Sequence, residues 1–272
     1  MNLVQDGYIK IKNDDLCSSD NSEKKGKLFQ EVYPFATEAV SEYFSRLDLK
    51  NKHLLTVGSS CDQAFNALVL GAKRVTIYDI NANVEKFFKE KRKLILTKNR
   101  KELYQSVINI DSVPVSTDLH GINSVTRMNN YLQSDKNYKK LRRCLQQNRI
   151  DFINGNIFDF DKDLGTLKYD RIVLSNVLQY IEFFCKGQDP YLFLADNFSS
   201  WSNHLNDGGI LQLLYLYGFT KEDLKISNHV LSSYNLVHIV RALKDILLDI
   251  EWIPSFNLGS NYDAIVTYTK KR

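Results

Sequence analysis

The chain switches between continuous apolar runs and apolar positions spaced at helical intervals, and each switch marks an element. Leu54, Leu55 and Val57 predict a buried strand, Asp62 to Leu70 a short helix, and Val75 to Tyr78 a second buried strand. This is a β-α-β unit. Its crossover leaves the turn after the first strand and the end of the second on one edge of a parallel sheet. Upstream, Leu28, Val32, Phe35, Ala39, Val40, Tyr43 and Phe44 recur at helical spacing, and Pro34 divides Leu28 to Leu47 into two helical pieces. Downstream, Val84, Phe88 and Ile95 share one face of a helix from Asn83 to about Lys98, with Phe87 and Leu94 beside them. Lys91 falls in the middle of that stripe, where a lysine must snorkel, find an acid or do a job.

Residues 99–150 interrupt the alternation with polar, weakly periodic sequence, which predicts a small helical insertion. The alternation then resumes. Short strands are expected at Asp151 to Ile153 and Tyr169 to Ser175, followed by the helix-like VLQYIEFF. Gly208 and Gly209 are expected to turn the chain into a strand from Ile210 to Tyr217, with a helix from Leu231 to Leu248 after it. Two closing strands, Ile250 to Phe256 and Ala264 to Thr269, lack a full helical crossover between them and so imply an antiparallel hairpin at the sheet edge. The resulting division places a linker and helices over the pocket in residues 1–50 and one α/β domain in residues 51–272.

Composition narrows the class. With 272 residues, 43% of them hydrophobic and 25% charged, the chain can bury one sizeable core. Cys17, Cys61, Cys144 and Cys185 lie far apart, which indicates neither a disulfide framework nor a zinc site and points to a reducing, cytoplasmic location. His204, His229 and His238 have no metal-ligand spacing, so packing or surface roles are expected and no metal is assigned. The first residues lack a signal-peptide layout, and no apolar run approaches the ~20 residues that span a bilayer. A net charge of +4 is too small to indicate nucleic-acid binding. The basic clusters at Lys86, Lys89, Lys91, Arg92 and Lys93, and at Lys139, Lys140, Arg142 and Arg143, read as solvated helix faces, with an anionic acceptor or a phosphate backbone as the alternative.

The candidate chemistry lies at the edge of the first two strands. Gly58 stands where the first strand must turn, and Asp79 follows it at about the 20-residue distance of the acid that bonds ribose hydroxyls in dinucleotide folds. A pyrophosphate, however, needs several glycines for close backbone approach, and this turn reads Gly58-Ser59-Ser60-Cys61-Asp62. Asp62 adds a negative charge there, which argues against NAD, FAD and ATP. S-adenosylmethionine, with a sulfonium, an ammonium, a ribose diol and no phosphate, suits Asp62, Asp79 and the turn better. An ordinary turn at Gly58 and a helix cap at Asp79 would explain the pair equally well without the rest of the chain.

Taken together, these elements and strand ends resemble the class I S-adenosylmethionine-dependent methyltransferase fold, from about residue 28 onward. The resemblance implies a Rossmann-like seven-stranded, mostly parallel sheet with an antiparallel last strand, plus N-terminal helices and the helical insertion. LLTVGSSCDQAFNALVLGAKRVTIYDINANVEKFFKEK is also similar to the betaine-lipid 3-amino-3-carboxypropyl transferases and their short bacterial relatives. Gly58, Ser59, Ser60, Asp62, Asp79, Asn81 and Lys91 match that family's motif, and the Tyr33 to Glu38 lead-in, the Leu174-Ser175-Asn176 strand end and Tyr180 look like the short relatives. Cys61 stands where the family has glycine, and Asn156 where an aspartate is more usual. The long second half of the lipid enzymes is missing, so a diacylglycerol substrate does not carry over.

The resemblance implies roles. Asp79 would hold the ribose diol, Asn81 would belong to the same cofactor site, Ile80 would pack on adenine, and Asn156 and Ile157 would meet the adenine edge. Gly58, Ser59, Ser60, Asp62 and Gln63 would surround the methionine moiety, with Tyr33 and Thr37 of the lead-in above the pocket. Ser175, Asn176 and Tyr180 would face the sulfonium and the nucleophile, Asn176 and Tyr180 as the catalytic candidates. Attack on a carbon next to the sulfonium needs mainly alignment and exclusion of water, so a transferase is expected. Methyl transfer to a small-molecule or lipid-like acceptor is the first reading, 3-amino-3-carboxypropyl transfer the alternative, and a non-catalytic binding module the third.

Overall fold

The computed structural model describes residues 30–117, 120–185, 187–216, 243, 246–254 and 262–271. Its first β-α-β unit is β1 (His53–Val57), α2 (Asp62–Leu70) and β2 (Arg74–Asp79), preceded by a short helix α1 (Val40–Ser45). Then come α3 (Asn83–Thr97), the insertion helices α4 (Arg100–Ile108), α5 (Ile122–Met128) and α6 (Asp135–Gln146), and β3 (Ile150–Asn154). The second half holds α7 (Phe160–Leu164), β4 (Tyr169–Ser175), α8 (Ile181–Phe184), α9 (Pro190–Asn203), β5 (Leu205–Leu216), β6 (Asp249–Pro254) and β7 (Tyr262–Thr269). The strands form one Rossmann-like seven-stranded sheet in the order β3-β2-β1-β4-β5-β7-β6. β1 to β5 run parallel, and β7 is antiparallel to both of its neighbours, so the expected edge hairpin is present.

The sheet is covered on both faces, which is why its strands read as unbroken apolar runs. Leu54, Val75, Ile77 and Val173 pack on the face that carries α1, α2, α3 and the insertion. Leu55, Tyr78, Ile172 and Leu174 point the other way, against Phe160, Leu164, Ile181, Phe198 and Trp201. Successive residues take opposite faces, as the pleat requires. The insertion is a packed part of the first face: Leu103, Val107, Val125, Tyr131 and Leu141 are buried in the same cluster. Two of its helices begin on side-chain caps, a reciprocal Asn99–Glu102 box at α4 and, at α6, Ser134 accepting from the Asn137 amide at 3.1 Å. Several of the clustered cations are ties between helices. Arg92 donates to the Leu145 carbonyl at 2.8 Å, Arg142 to the Leu96 carbonyl, and Lys86 to the Ser112 carbonyl at 2.6 Å, while Lys139, Lys140 and Arg143 are exposed.

One expectation changes, one is refined, and one falls largely outside the described residues. Among the described residues the first half of the lead-in is extended, not helical. Val32 bridges Val115 in parallel, donating to the Pro114 carbonyl at 2.9 Å and accepting from the Ser116 amide at 2.8 Å. The side chains of Asn81 and Asn83 hold the Glu31 and Gln30 carbonyls, each at 2.9 Å. Backbone groups spent on these partners are lost to a helical ladder, and Pro34 prevents its restart. Gly208 and Gly209 lie within β5, which begins earlier than expected, and exchange backbone bonds with Lys270; Gly208 is left-handed (φ 71°) at a register shift, and regular pairing with β4 resumes at Ile210. The helix expected from Leu231 to Leu248 falls largely outside the described residues, and Leu243 is in a turn.

Candidate functional site

The carboxyl ends of β1, β2, β3 and β4 open into one cavity of about 1040 Å³, mouth included, with the lead-in laid across it. That is the edge where parallel α/β sheets bind ligands. Of the residues expected at the site, Ser59, Gln63, Asp79, Ile80 and Asn81 line it from the first unit, and Tyr33 and Thr37 from the lead-in. Asn156, Ile157, Ser175, Asn176 and Tyr180 line it from the second half. Gly58, Ser60 and Asp62 do not reach its surface and stand behind the wall.

Asp79 ends β2 with its carboxylate against the glycine turn. Oδ2 accepts from the amides of Gly58 and Ser59, both at 3.0 Å, and Oδ1 from the Asn81 amide at 2.8 Å. Burial pushes its pKa above the usual carboxylate value, and the three backbone bonds pull it back. A carboxylate has about four acceptor positions, so Oδ1 is the oxygen with room for a ligand hydroxyl. Gly58 is required by this close approach: a Cβ there would lie 2.5 Å from Val84 Cγ1 and 2.8 Å from Asp79 Oδ2. Cys61 takes a left-handed conformation (φ 64°) that only glycine adopts freely. That costs a residue with a side chain ~1–2 kcal/mol. Burial pushes its thiol pKa up, so the residue is a packing group and not a nucleophile.

Asp62 and Lys91 are both 0% exposed and paired at 2.6 Å. Lys91 does not snorkel. Its ammonium also donates to the Pro34 carbonyl at 2.7 Å and the Ser60 carbonyl at 2.9 Å, and it lies 4.5 Å from the centre of the Phe35 ring. The remaining capacity of Asp62 is taken by the Ala36 amide at 2.7 Å and the Tyr131 hydroxyl at 2.8 Å. Burial, and then the charge of Asp62, push the Tyr131 phenol well up, which keeps it a donor. One buried ion pair thus ties the lead-in, the glycine turn, α3 and the insertion together behind the cavity wall.

Glu38, 8% exposed, is among the site residues that sequence reasoning missed. It reaches from the lead-in to the end of β4, where the Ser175 hydroxyl donates to Oε2, while Gln63 Nε2 donates to Oε1 at 2.6 Å. Gln63 in turn accepts from the buried Thr56 hydroxyl. The signal was available: an acid beside Ala36, Ala39 and Val40 breaks an apolar pattern, as Lys91 does. Asn176, one residue on, has φ 55° and donates its amide to the Leu214 carbonyl at 3.2 Å, turning the chain sharply at the strand end. Asparagine tolerates that conformation better than most residues.

The opposite wall is apolar. Ile80 is 40% exposed there, beside Ile157 and Phe158. Phe158 is held by Phe184 and Phe193 at centroid distances of 4.9 and 5.2 Å. Asn156 caps the short turn Ile157–Asp159, its Oδ1 accepting from the Phe158 amide at 3.1 Å, so its side chain is partly engaged. Gly155 allows Tyr78 to pass, since a Cβ would lie 2.5 Å from the Tyr78 hydroxyl. That hydroxyl bonds Asp163 at 2.5 Å and the Asn156 carbonyl at 2.9 Å, and burial pushes its pKa up. Among the described residues Glu31, Glu38 and Asp79 line the cavity, and no lysine, arginine or histidine does. His204 lies elsewhere, between the Leu167 carbonyl at 2.8 Å and Asp161 at 3.0 Å. His229 and His238 lie outside the described residues. No helix among the described residues is long and apolar enough to cross a membrane.

No protein-family model and no curated protein matches the chain. Among solved structures it is similar to the N-methyltransferase NodS from Bradyrhizobium japonicum WM9 in complex with S-adenosyl-l-homocysteine, with 12% identity over 85% of each chain and a TM-score of 0.47. It is also similar to magnesium protoporphyrin IX methyltransferase (ChlM) from Synechocystis PCC 6803 with bound SAM, with 13% identity, 99% of this chain, 92% of that chain and a TM-score of 0.46. TrmN from Thermus thermophilus matches with 13% identity over 86% of this chain and 48% of its own, at a TM-score of 0.41.

Proposed function

We propose that this chain is an S-adenosylmethionine-dependent transferase, with methyl transfer to an acceptor as its first reading. The observation that carries this is the cavity itself. Asp79 ends β2 on its lining with Oδ1 holding a single described backbone bond, and among the described residues no lysine, arginine or histidine lines it. A dinucleotide would need the amides of the glycine turn for its phosphates, and those of Gly58 and Ser59 are already donated to Asp79. Asp62 is not what repels phosphate, because Lys91 neutralises it behind the wall.

The residues present fit the ligand. Asp79 Oδ1 would accept from the ribose diol, and Ile80, Ile157 and Phe158 would sandwich the adenine. Ser59 and Gln63 would face the methionine end, leaving Ser175, Asn176 and Tyr180 beside the sulfonium. Bound there, the ligand supplies an activated carbon on sulfur, and the chain's residues align an acceptor and exclude water. Incubating the protein with S-adenosylmethionine and a broad acceptor set, then identifying the nucleoside released, tests the proposal. S-adenosylhomocysteine means methyl transfer. Methylthioadenosine that depends on an acceptor means transfer of the 3-amino-3-carboxypropyl group, the reaction implied by the likeness of Gly58 to Lys91 to the betaine-lipid enzymes. Bound but intact ligand would leave a binding module, and no binding in calorimetry would overturn the assignment.

A further inference from the structure

Resting on that reading, we propose that Thr56, which does not line the cavity, is a positioning residue of the site and acts through Gln63. Thr56 is wholly buried in β1, and the alternation of a strand puts it on the same face as Leu54, the face that carries α2. The strand itself has no need of a hydroxyl there. Leu54, Leu55 and Val57 around it are apolar, and valine has the same branched shape and suits a strand equally well. A hydroxyl buried in such a place needs a partner, and its partner is Gln63.

The direction of that bond is fixed from its other end. Gln63 Nε2 donates to Glu38 Oε1 at 2.6 Å. A carboxylate oxygen accepts, so the amide nitrogen faces Glu38 and the amide oxygen faces Thr56, whose hydroxyl donates. A flipped amide would set two acceptors against each other at Glu38. Other partners of Glu38 do not alter this polarity, which needs only that Oε1 accepts. The second oxygen of Glu38 accepts from the Ser175 hydroxyl at the end of β4. A chain of hydrogen bonds therefore runs from inside the sheet to the cavity, from Thr56 to Gln63 to Glu38, where Ser175 meets it. Gln63, Glu38 and Ser175 all line the cavity, and they come from α2, the lead-in and β4.

Gln63 is 4% exposed, so without the Thr56 hydroxyl its Oε1 becomes a nearly buried acceptor with no other described donor. An acceptor left in that state is costly, and the amide recovers a donor by turning toward the water of the cavity. That turn takes Nε2 away from Glu38. The loss of one hydroxyl behind the wall is then felt by the side chains in front of it.

The test compares Thr56→Val, which removes the hydroxyl and keeps the shape, with Thr56→Ser, which keeps the hydroxyl. In the full chain labelled with isotopic nitrogen at its glutamine side chains, the Gln63 amide is the magnetic-resonance signal absent from Gln63→Ala. Thr56→Val should shift that signal and speed its proton exchange with water, and Thr56→Ser should return it. Calorimetric affinity for S-adenosylmethionine should fall by about tenfold in Thr56→Val and recover in Thr56→Ser. On a Gln63→Ala background Thr56→Val should cost no further affinity, an outcome that a general loss of stability would not produce. An unmoved Gln63 signal, full affinity of Thr56→Val, or an equal further loss on the Gln63→Ala background would each overturn the proposal. If S-adenosylmethionine does not bind the wild type, the functional assignment fails separately. The Gln63 signal in ligand-free protein then decides whether Thr56 positions that amide, a shift supporting the proposal and an unmoved signal overturning it.

Discussion

Replacing Lys91 with methionine tests whether the buried ion pair holds the cavity wall. Methionine keeps most of the packing against Phe35, Phe65 and Phe87 but removes the charge from a side chain that is 0% exposed. Asp62 would keep the Ala36 amide and the Tyr131 hydroxyl but lose its cationic partner, and the Pro34 and Ser60 carbonyls would each lose a donor. Breaking a buried pair from one side costs about 3–5 kcal/mol, because the other charge stays buried. At roughly 2–4 °C per kcal/mol for a chain of this size, the melting temperature should fall by roughly 6–20 °C. Because Pro34 and Ser60 sit in the two loops that wall the cavity, affinity for S-adenosylmethionine should fall as well, although Lys91 does not line it. Asp62→Leu in the same chain should recover part of the stability, since an apolar pair can replace a buried ionic one, and a double-mutant cycle measures the coupling. Scanning calorimetry and ligand titration on the same samples make the comparison. A Lys91→Met protein that melts at or above the wild-type temperature and binds equally well would refute the reasoning.

Gly58→Ala should weaken S-adenosylmethionine binding by about tenfold or more, since its Cβ would press on Val84 and Asp79; calorimetric affinity equal to wild type would show that the turn yields. Burial raises the Asp79 carboxyl above its ordinary 3.8, so binding should weaken on acidification at a higher pH than for a free aspartate and be complete above the raised value. Its stability linkage has the opposite sign: the folded state holds the extra proton between 3.8 and the raised value, so this contribution falls as pH rises through that window. Asp79→Asn should abolish both trends in pH-resolved titrations and melts. Asn176→Ala should lower kcat more than cofactor affinity, and should also cost ~1 kcal/mol of stability through its left-handed backbone. Asn176→Gly should restore the melting temperature without restoring kcat, and recovery of kcat would show that only the backbone matters.

The elements were legible because their signals are local. Asp62–Leu70 and Tyr169–Ser175 have the bounds their apolar spacing implies, and the closing hairpin follows from the missing helical crossover. Strand ends were legible for the same reason, since residues that terminate parallel strands share an edge, and this brought Asp79, Ser175 and Asn176 into one cavity. The lead-in was misread because its periodicity is helical, while its backbone partners, Pro114, Ser116, Asn81 and Asn83, are far along the chain. A pattern of side chains carries no information about which distant group takes a carbonyl.

Charge was the other matter that sequence could not resolve. Sequence identified Asp62 as an acid in the glycine turn and Lys91 as a lysine in an apolar stripe, but the side each faces depends on the crossing of α2 and α3 and on where Tyr131 of the insertion packs. Glu38 was visible as a misplaced acid, but its meeting with Ser175 spans 137 positions and exists only once the lead-in lies over the β4 end. Electrostatic partners are chosen by distance in space, which the chain acquires on folding, whereas apolar periodicity is written along the backbone itself.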